Sequence, residues 1–149
     1  MKRRWPAVGI GLGLLVVIQL VPYGRTHDNP PVHAEPAWDT PRTRELAVRA
    51  CFDCHSNQTV WPWYSNVAPL SWIVQHDVME GRRHVNYSEW DRPQPDARDS
   101  AEEMRHGVMP PSYYVILHRS AQLPEPDWQA LVAGLTATFG SGRGGEPRP

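Results

Sequence analysis

Two cysteines and a histidine stand together in the segment Cys51–His55, which reads C-F-D-C-H. The thiols are three positions apart and the imidazole follows at once, which is the spacing of covalent haem attachment. Each thiol can add to one vinyl group of the ring, and His55 can then offer a neutral imidazole nitrogen to the iron. The chain has two cysteines, and both lie in this motif. The motif predicts one haem c per chain, bound through Cys51 and Cys54 with His55 as the first axial ligand.

The same pair of thiols is also compatible with other chemistry. It could form half of a zinc site that is completed by two of the later histidines. It could equally be a redox dithiol or a disulfide. A haem-free binding module stabilised by zinc or by a disulfide therefore remains an alternative.

Met109 is the predicted second axial ligand of the iron. It follows Gly107, a natural helix end, and precedes Pro110 and Pro111, so it is expected on a rigid loop. His76, on a predicted helix, is the main alternative ligand, followed by His84, His106 and His118. Ligation by histidine and methionine leaves no vacant site for a substrate and raises the reduction potential. This favours a one-electron carrier, with no catalytic residues, over an enzyme.

A haem sensor or a peroxidase-like enzyme is the second functional hypothesis. It requires an exchangeable sixth ligand and a distal acid or base over an open face of the haem, and the sequence identifies none. Two further groups allow two interpretations each. The aromatic residues Trp61, Trp63, Tyr64 and Trp72 could line a haem pocket or form the core. The cations at positions 82–84 could bind haem propionates or form a solvated helix end.

The N-terminus predicts a membrane segment. Lys2, Arg3 and Arg4 precede the apolar stretch Ala7–Val21, which Pro22 ends. We expect residues 1–22 to form an uncleaved transmembrane anchor in the bacterial inner membrane, with the haem domain on the periplasmic side. A cleaved export signal is the alternative.

Composition divides the remaining chain into three parts. Residues 23–40 are rich in proline and predict an extended tether, residues 41–140 a haem-binding domain, and residues 141–149 a disordered tail. Of the fifteen Lys and Arg residues three lie at positions 2–4, which leaves twelve against sixteen acidic residues. No basic stripe is present, so nucleic acid is not an expected partner. The redox partner is not identified.

Helices are predicted to position the motif. Thr40 and Pro41 form a helix start that delivers the chain into Cys51. Further helices are predicted over Ser71–Glu80, ended by Gly81, and over Ser100–His106. A last helix has one continuous apolar face, formed by Trp128, Leu131, Val132, Leu135 and Phe139. No stretch alternates in the manner of a strand, so the domain is predicted to be all-α with long irregular connections.

Longer stretches of the chain carry a family resemblance. The motif at Cys51–His55, with Met109-Pro110 well downstream, resembles the single-haem class of cytochrome c. Residues 51–66, 71–90 and 107–114 are similar to the bacterial haem-binding domain family, and the likeness spans roughly Trp38 to Phe139. It implies an exported or membrane-attached c-type haem protein of electron transfer. The expected fold is thus a small cytochrome c-like helical domain around one haem, with an N-terminal transmembrane helix.

Overall fold

The structure, a computed structural model, describes residues 5–140, and within them the chain forms seven α-helices and no β-strand. The helices are α1 (Trp5–Ile18), α2 (Pro41–Ala50), α3 (Phe52–His55), α4 (Leu70–His84), α5 (Ser100–Arg105), α6 (Ser112–Leu117) and α7 (Glu125–Phe139). Short 3-10 turns occupy Trp63–Asn66, Ala97–Asp99 and Arg119–Ala121. The tail predicted to be disordered, residues 141–149, lies outside the described residues.

Helices α2 and α7 pack together and form the centre of the core. The predicted start of α2 is confirmed: the Thr43 amide donates to Thr40 Oγ1 at 3.1 Å, and proline occupies the first helical position. Leu46 of α2 and Leu131 of α7 are fully buried. A side chain on Gly134 of α7 would overlap Thr43 of α2. Glycine therefore allows the two helices to approach closely at this point.

An aromatic cluster connects this core to the cysteine motif. The Tyr87 and Phe139 rings stack with their centroids 5.8 Å apart, and Trp38 meets both rings edge-on at 5.2 and 5.6 Å. Phe52, which lies between the two cysteines, is buried in the same cluster 5.7 Å from Tyr87. Packing of Phe52 therefore fixes the position of α3, and with it the position of both thiols.

The predicted tether, residues 23–40, packs on the helical domain. Ala34 forms an isolated parallel bridge with Glu89, and the His33 amide donates to the Ser88 carbonyl at 2.8 Å. The Arg44 guanidinium donates to both Glu35 carboxylate oxygens, at 2.6 and 2.7 Å. Proline-rich sequence thus forms extended chain here, but its other side chains find partners on the domain.

The predicted transmembrane anchor is wrong. Among the described residues no helix is both long enough and apolar enough to cross a membrane. Helix α1 has 14 residues, about 21 Å at a rise of ~1.5 Å per residue, whereas the hydrocarbon core of a bilayer is about 30 Å thick. Helix α1 ends at Ile18, before the apolar run does. The side-chain amide of the next residue, Gln19, forms two hydrogen bonds with the Ala68 backbone, at 2.9 and 3.0 Å. The inner-membrane location with a periplasmic haem domain depended on that anchor and is not supported.

The pair of Glu35 and Arg44 makes stability depend on pH. The hydrogen-bonded Arg44 guanidinium lowers the pKa of the Glu35 carboxyl. The carboxyl therefore contributes stability above the ordinary glutamate pKa of about 4.3, and this contribution is lost as the pH falls through the lower folded value. We expect Glu35→Gln to reduce the free energy of unfolding at pH 7 by no more than about 1 kcal/mol, because Arg44 is 44% exposed. The loss should shrink as the pH falls below about 4.3 towards the lower folded value, because the carboxyl becomes protonated in both states.

Urea unfolding of both proteins between pH 7 and pH 3 measures this difference. Glu45→Gln is the matched control, because Glu45 also pairs with an arginine but is 59% exposed. If the free energy of unfolding of Glu35→Gln stays below that of the wild type by the same amount at every pH, the pairing of Glu35 with Arg44 does not cause the pH dependence.

Candidate functional site

The cysteine motif occupies a single helical turn. The Cys51 amide still donates to the Ala47 carbonyl of α2, at 2.8 Å, and the Cys51 carbonyl accepts from the His55 amide at 2.9 Å. Cys51 thus ends α2 and begins α3. Residues three and four positions apart share one face of such a turn. Cys51, Cys54 and His55 therefore lie on one turn, with Cys51 packed against the hydrophobic core and Cys54 at the cavity described below.

Both cysteines are free, half-buried thiols. Burial raises the pKa of each thiol to about 12, and at Cys54 the nearby Asp77 and Asp53 carboxylates add to the effect. Both thiols are therefore protonated at neutral pH. Thiolate, not thiol, is the nucleophile of disulfide exchange and the ligand of zinc. Burial of the two side chains therefore opposes formation of the thiolate at neutral pH.

His55 is prepared to bind a metal through one nitrogen. Its Nδ1 atom lies 3.1 Å from the Val85 carbonyl oxygen, and because a carbonyl can only accept, Nδ1 carries the proton. Nε2 therefore keeps its lone pair. Burial lowers the pKa of the imidazole, which favours the neutral ring. A neutral imidazole whose other nitrogen is fixed by a backbone carbonyl is the usual form of a metal-ligating histidine.

A cavity of about 410 Å³ lies beside α3. Helices α4 and α6 and the segment 59–64 complete its wall, together with Asp53 and Cys54 of the motif. The wall residues are Asp53, Cys54, Thr59, Val60, Pro62, Tyr64, Leu70, Ile73, Val74, Asp77, Val78, Tyr113, Tyr114, Leu117 and His118. The turn Cys51–His55, here the attachment turn, therefore presents Cys54 to a cavity that is partly open to solvent.

The wall of the cavity fits a large apolar group. Five of its bulky side chains are between 42% and 76% exposed, which is unusual for residues gathered on one concave surface: Val60, Leu70, Ile73, Tyr113 and Leu117. Exposed apolar surface of this kind marks a binding site. A porphyrin seated against Cys54 would cover it, so the residues present fit a haem.

Two tyrosine hydroxyls of the wall donate hydrogen bonds to aspartates of the wall. The Tyr114 hydroxyl donates to Asp53 Oδ2 at 2.7 Å, and the Tyr113 hydroxyl donates to Asp77 Oδ2 at 3.0 Å. Burial raises the pKa of Tyr114 and that of Tyr113, the latter to about 12, so both phenols stay protonated. Sequence reasoning did not find these pairs, because up to 61 positions separate the partners. The sequence feature that could have pointed to these bonds is the pair of adjacent tyrosines at the end of the stretch 107–114.

His118 also lines the cavity. Its Nδ1 lies 3.0 Å from the Tyr114 carbonyl oxygen and must be the donor, so Nε2 accepts from the Tyr64 hydroxyl at 3.2 Å. The sequence identified no distal base, and the structure places this histidine within the wall.

The two leading candidates for the second axial ligand lie outside this wall, whereas His118, a minor candidate, is part of it. Met109 is on the loop between α5 and α6, is 37% exposed, and precedes α6 by three positions. His76 is an exposed residue of α4, although its neighbours Ile73 and Asp77 line the cavity. The structure therefore brings Cys54 to the cavity with Cys51 and His55 on the same turn, and it leaves Met109 at the edge of α6.

The aromatic and cationic residues that were candidates for the haem pocket lie in different environments. Tyr64 lines the cavity, whereas Trp61 stacks on His27 at 4.8 Å and Trp63 is exposed. Arg82 donates to four oxygen atoms: the carbonyls of Ser56 and Asp28, Asn29 Oδ1 and Thr59 Oγ1. Arg82 therefore ties the chain that follows the motif to the segment 28–29. Arg83 instead pairs with Glu80 at 2.6 Å.

Helix α4 reaches the motif at Gly81. The predicted helix end at this glycine is wrong, because α4 continues to His84. The glycine is needed for a different reason: a Cβ atom at position 81 would overlap the Cys54 carbonyl group. Close backbone contact between α4 and α3 thus depends on the missing side chain.

Gly81→Ala is therefore expected to destabilise the domain by about 2 kcal/mol through overpacking, although alanine favours helices. Chemical denaturation of the purified protein measures the effect. Gly11→Ala in α1 is the matched control, because no atom lies within 4 Å of the added Cβ. Equal unfolding free energies of the two variants would show that α4 does not rest on Cys54 as described.

No group of three or more His, Cys, Asp or Glu side chains among residues 5–140 is arranged to hold a metal ion. The zinc alternative requires such a group.

A mostly helical domain with one thiol in the wall of an apolar cavity, and a second thiol and a neutral imidazole on the same turn, has the features of a haem protein. The comparisons with known proteins agree. Residues 13–137 match the sequence model of the haem-binding domain, and the chain belongs to that family. The predicted resemblance to this family is confirmed, and haem binding with it. No curated protein and no solved structure matches the chain, and the likeness to single-haem cytochrome c stays a prediction.

Proposed function

We propose that the protein carries one haem c per chain and transfers single electrons. One observation carries the proposal: Cys51, Cys54 and His55 occupy one turn beside the 410 Å³ apolar cavity. Each protonated thiol can add across one vinyl double bond, so that a thioether forms, the S–H bond breaks and its hydrogen passes to the other vinyl carbon. No oxidant is required. The haem iron supplies the one-electron chemistry when bound.

His55 would ligate the iron through Nε2, which the Val85 carbonyl leaves free by holding the proton on Nδ1. Met109 is the proposed second ligand. It is supported by its place between α5 and α6, because Tyr113 and Tyr114 of α6 line the cavity. Gly107, at φ +69°, turns the chain at the end of α5 and directs it into this loop.

A haem sensor or peroxidase-like enzyme is the second candidate. The presence of His118 in the cavity wall favours it, since a histidine can act as the distal base of such an enzyme. The carrier remains the first choice, because the Nε2 lone pair of His118 already accepts the Tyr64 proton.

Carbon monoxide binding, measured beside a redox titration of protein expressed with the c-type maturation machinery, separates the two functions. A carrier should follow a one-electron Nernst curve, about 59 mV per tenfold change in the ratio of the two states. Its ferrous form should bind carbon monoxide only slowly. Rapid binding of carbon monoxide together with turnover of hydrogen peroxide would contradict the carrier and support the enzyme or sensor.

A further inference from the structure

Helix α6 forms one wall of the cavity although none of its residues is buried. Ile116 is 70% exposed, and Leu117 is similarly open to solvent. Apolar burial supplies most of the stability of packed helices. Because α6 gains little from burial, other contacts must hold it against the domain.

Two tyrosine hydroxyls supply such contacts. Tyr114 donates to Asp53 at 2.7 Å, and Tyr113 donates to Asp77 of α4 at 3.0 Å. Asp53 is itself held from a second side, because its Oδ1 accepts from the Val60 amide at 2.9 Å. A hydrogen bond to a charged group contributes more than a neutral one. The Tyr114–Asp53 bond therefore joins α6 to a fixed acceptor.

The sequence positions of these two residues give the bond its significance. Asp53 lies between Cys51 and Cys54 on the attachment turn, and Tyr114 lies five residues after Met109. A single hydrogen bond thus connects the turn that carries the first axial ligand with the segment that carries the proposed second one. On its α5 side the loop is held by two backbone hydrogen bonds, since the Val108 and Met109 amides both donate to the Glu103 carbonyl, at 3.0 and 3.2 Å. On its α6 side the Tyr114–Asp53 bond links the loop to the attachment turn.

We infer that Asp53 and Tyr114 are positioning residues for the sixth ligand: their hydrogen bond holds α6 and the Met109 loop beside the attachment turn and keeps Met109 on the iron. The inference rests on the proposed ligation by His55 and Met109.

Tyr114→Phe in the holoprotein tests the inference. The variant keeps the ring but loses the hydroxyl, so Met109 should leave the iron more often. Titration of the ferric protein with imidazole, an external iron ligand, measures this, and we expect the apparent affinity to rise roughly tenfold. The optical band of thioether ligation to ferric iron should weaken in parallel. In an Asp53→Ala background, Tyr114→Phe should add little, because its partner is already absent.

Tyr23→Phe is the matched control, since that hydroxyl donates to the sulfur of the exposed Met79, at 3.8 Å. If the imidazole affinity and the thioether band change no more in Tyr114→Phe than in Tyr23→Phe, the inference is overturned while the proposed function stands. A wild-type protein without the thioether band would overturn the Met109 ligation, and the inference with it. Thermal unfolding of each variant shows whether the fold is retained.

Discussion

Replacing Cys51 and Cys54 together by alanine is expected to abolish covalent haem attachment completely. The two thiols lie on one turn, and Cys54 lines the apolar cavity. When both sulfur atoms are removed, no thioether can form. Any haem that enters the cavity will then not be bonded to the chain through sulfur. A haem stain of the denatured protein after electrophoresis measures the loss. Each single variant should retain one thioether and remain stained.

Cys54→Ala should reduce haem content more than Cys51→Ala. The reason is that Cys51 packs against the hydrophobic core, whereas Cys54 faces the cavity. Double-variant protein that keeps its haem through denaturation would refute attachment at these positions.

Met109→Ala is expected to open the sixth coordination position of the iron. The ferric spectrum should shift towards the high-spin form, because water or no ligand replaces the thioether. The reduction potential should fall on the order of 0.1 V, within the range of roughly 0.8 V over which axial ligands set haem potentials. Optical spectra and a redox titration of the variant measure both changes.

Two controls accompany this prediction. Met79→Ala removes an exposed methionine of α4, and His76→Ala removes the alternative ligand, so both should leave the spectrum nearly unchanged. A spectrum that changes in His76→Ala and not in Met109→Ala would transfer the sixth position to His76.

Features that depend on neighbouring residues could be predicted from the sequence. The motif Cys51–His55 is continuous, and the capped start of α2 at Thr40 and Pro41 requires only a side chain and the following backbone amides. The apolar face of α7 follows from its period, and its leucines are buried as predicted. In each case the physical determinant lies within a few residues.

Features that depend on distant partners could not be predicted. The cavity wall joins Asp53 of α3 to Tyr114 of α6, and no local pattern specifies that contact. The apolar run at the N-terminus looked long enough for a membrane span, but the Ala68 backbone binds Gln19 and α1 ends at Ile18. Gly81 resembled a helix stop, and its role became clear only when Cys54 was seen to lie against it.

The mass of the intact, denatured holoprotein tests the central proposal most directly. The protein is expressed with the c-type maturation machinery, unfolded in acid and analysed by mass spectrometry without further treatment. Covalent attachment through Cys51 and Cys54 predicts a single species that is heavier than the polypeptide by the mass of one haem. A species with the mass of the polypeptide alone, with the haem recovered free in the acid acetone extract, would contradict it.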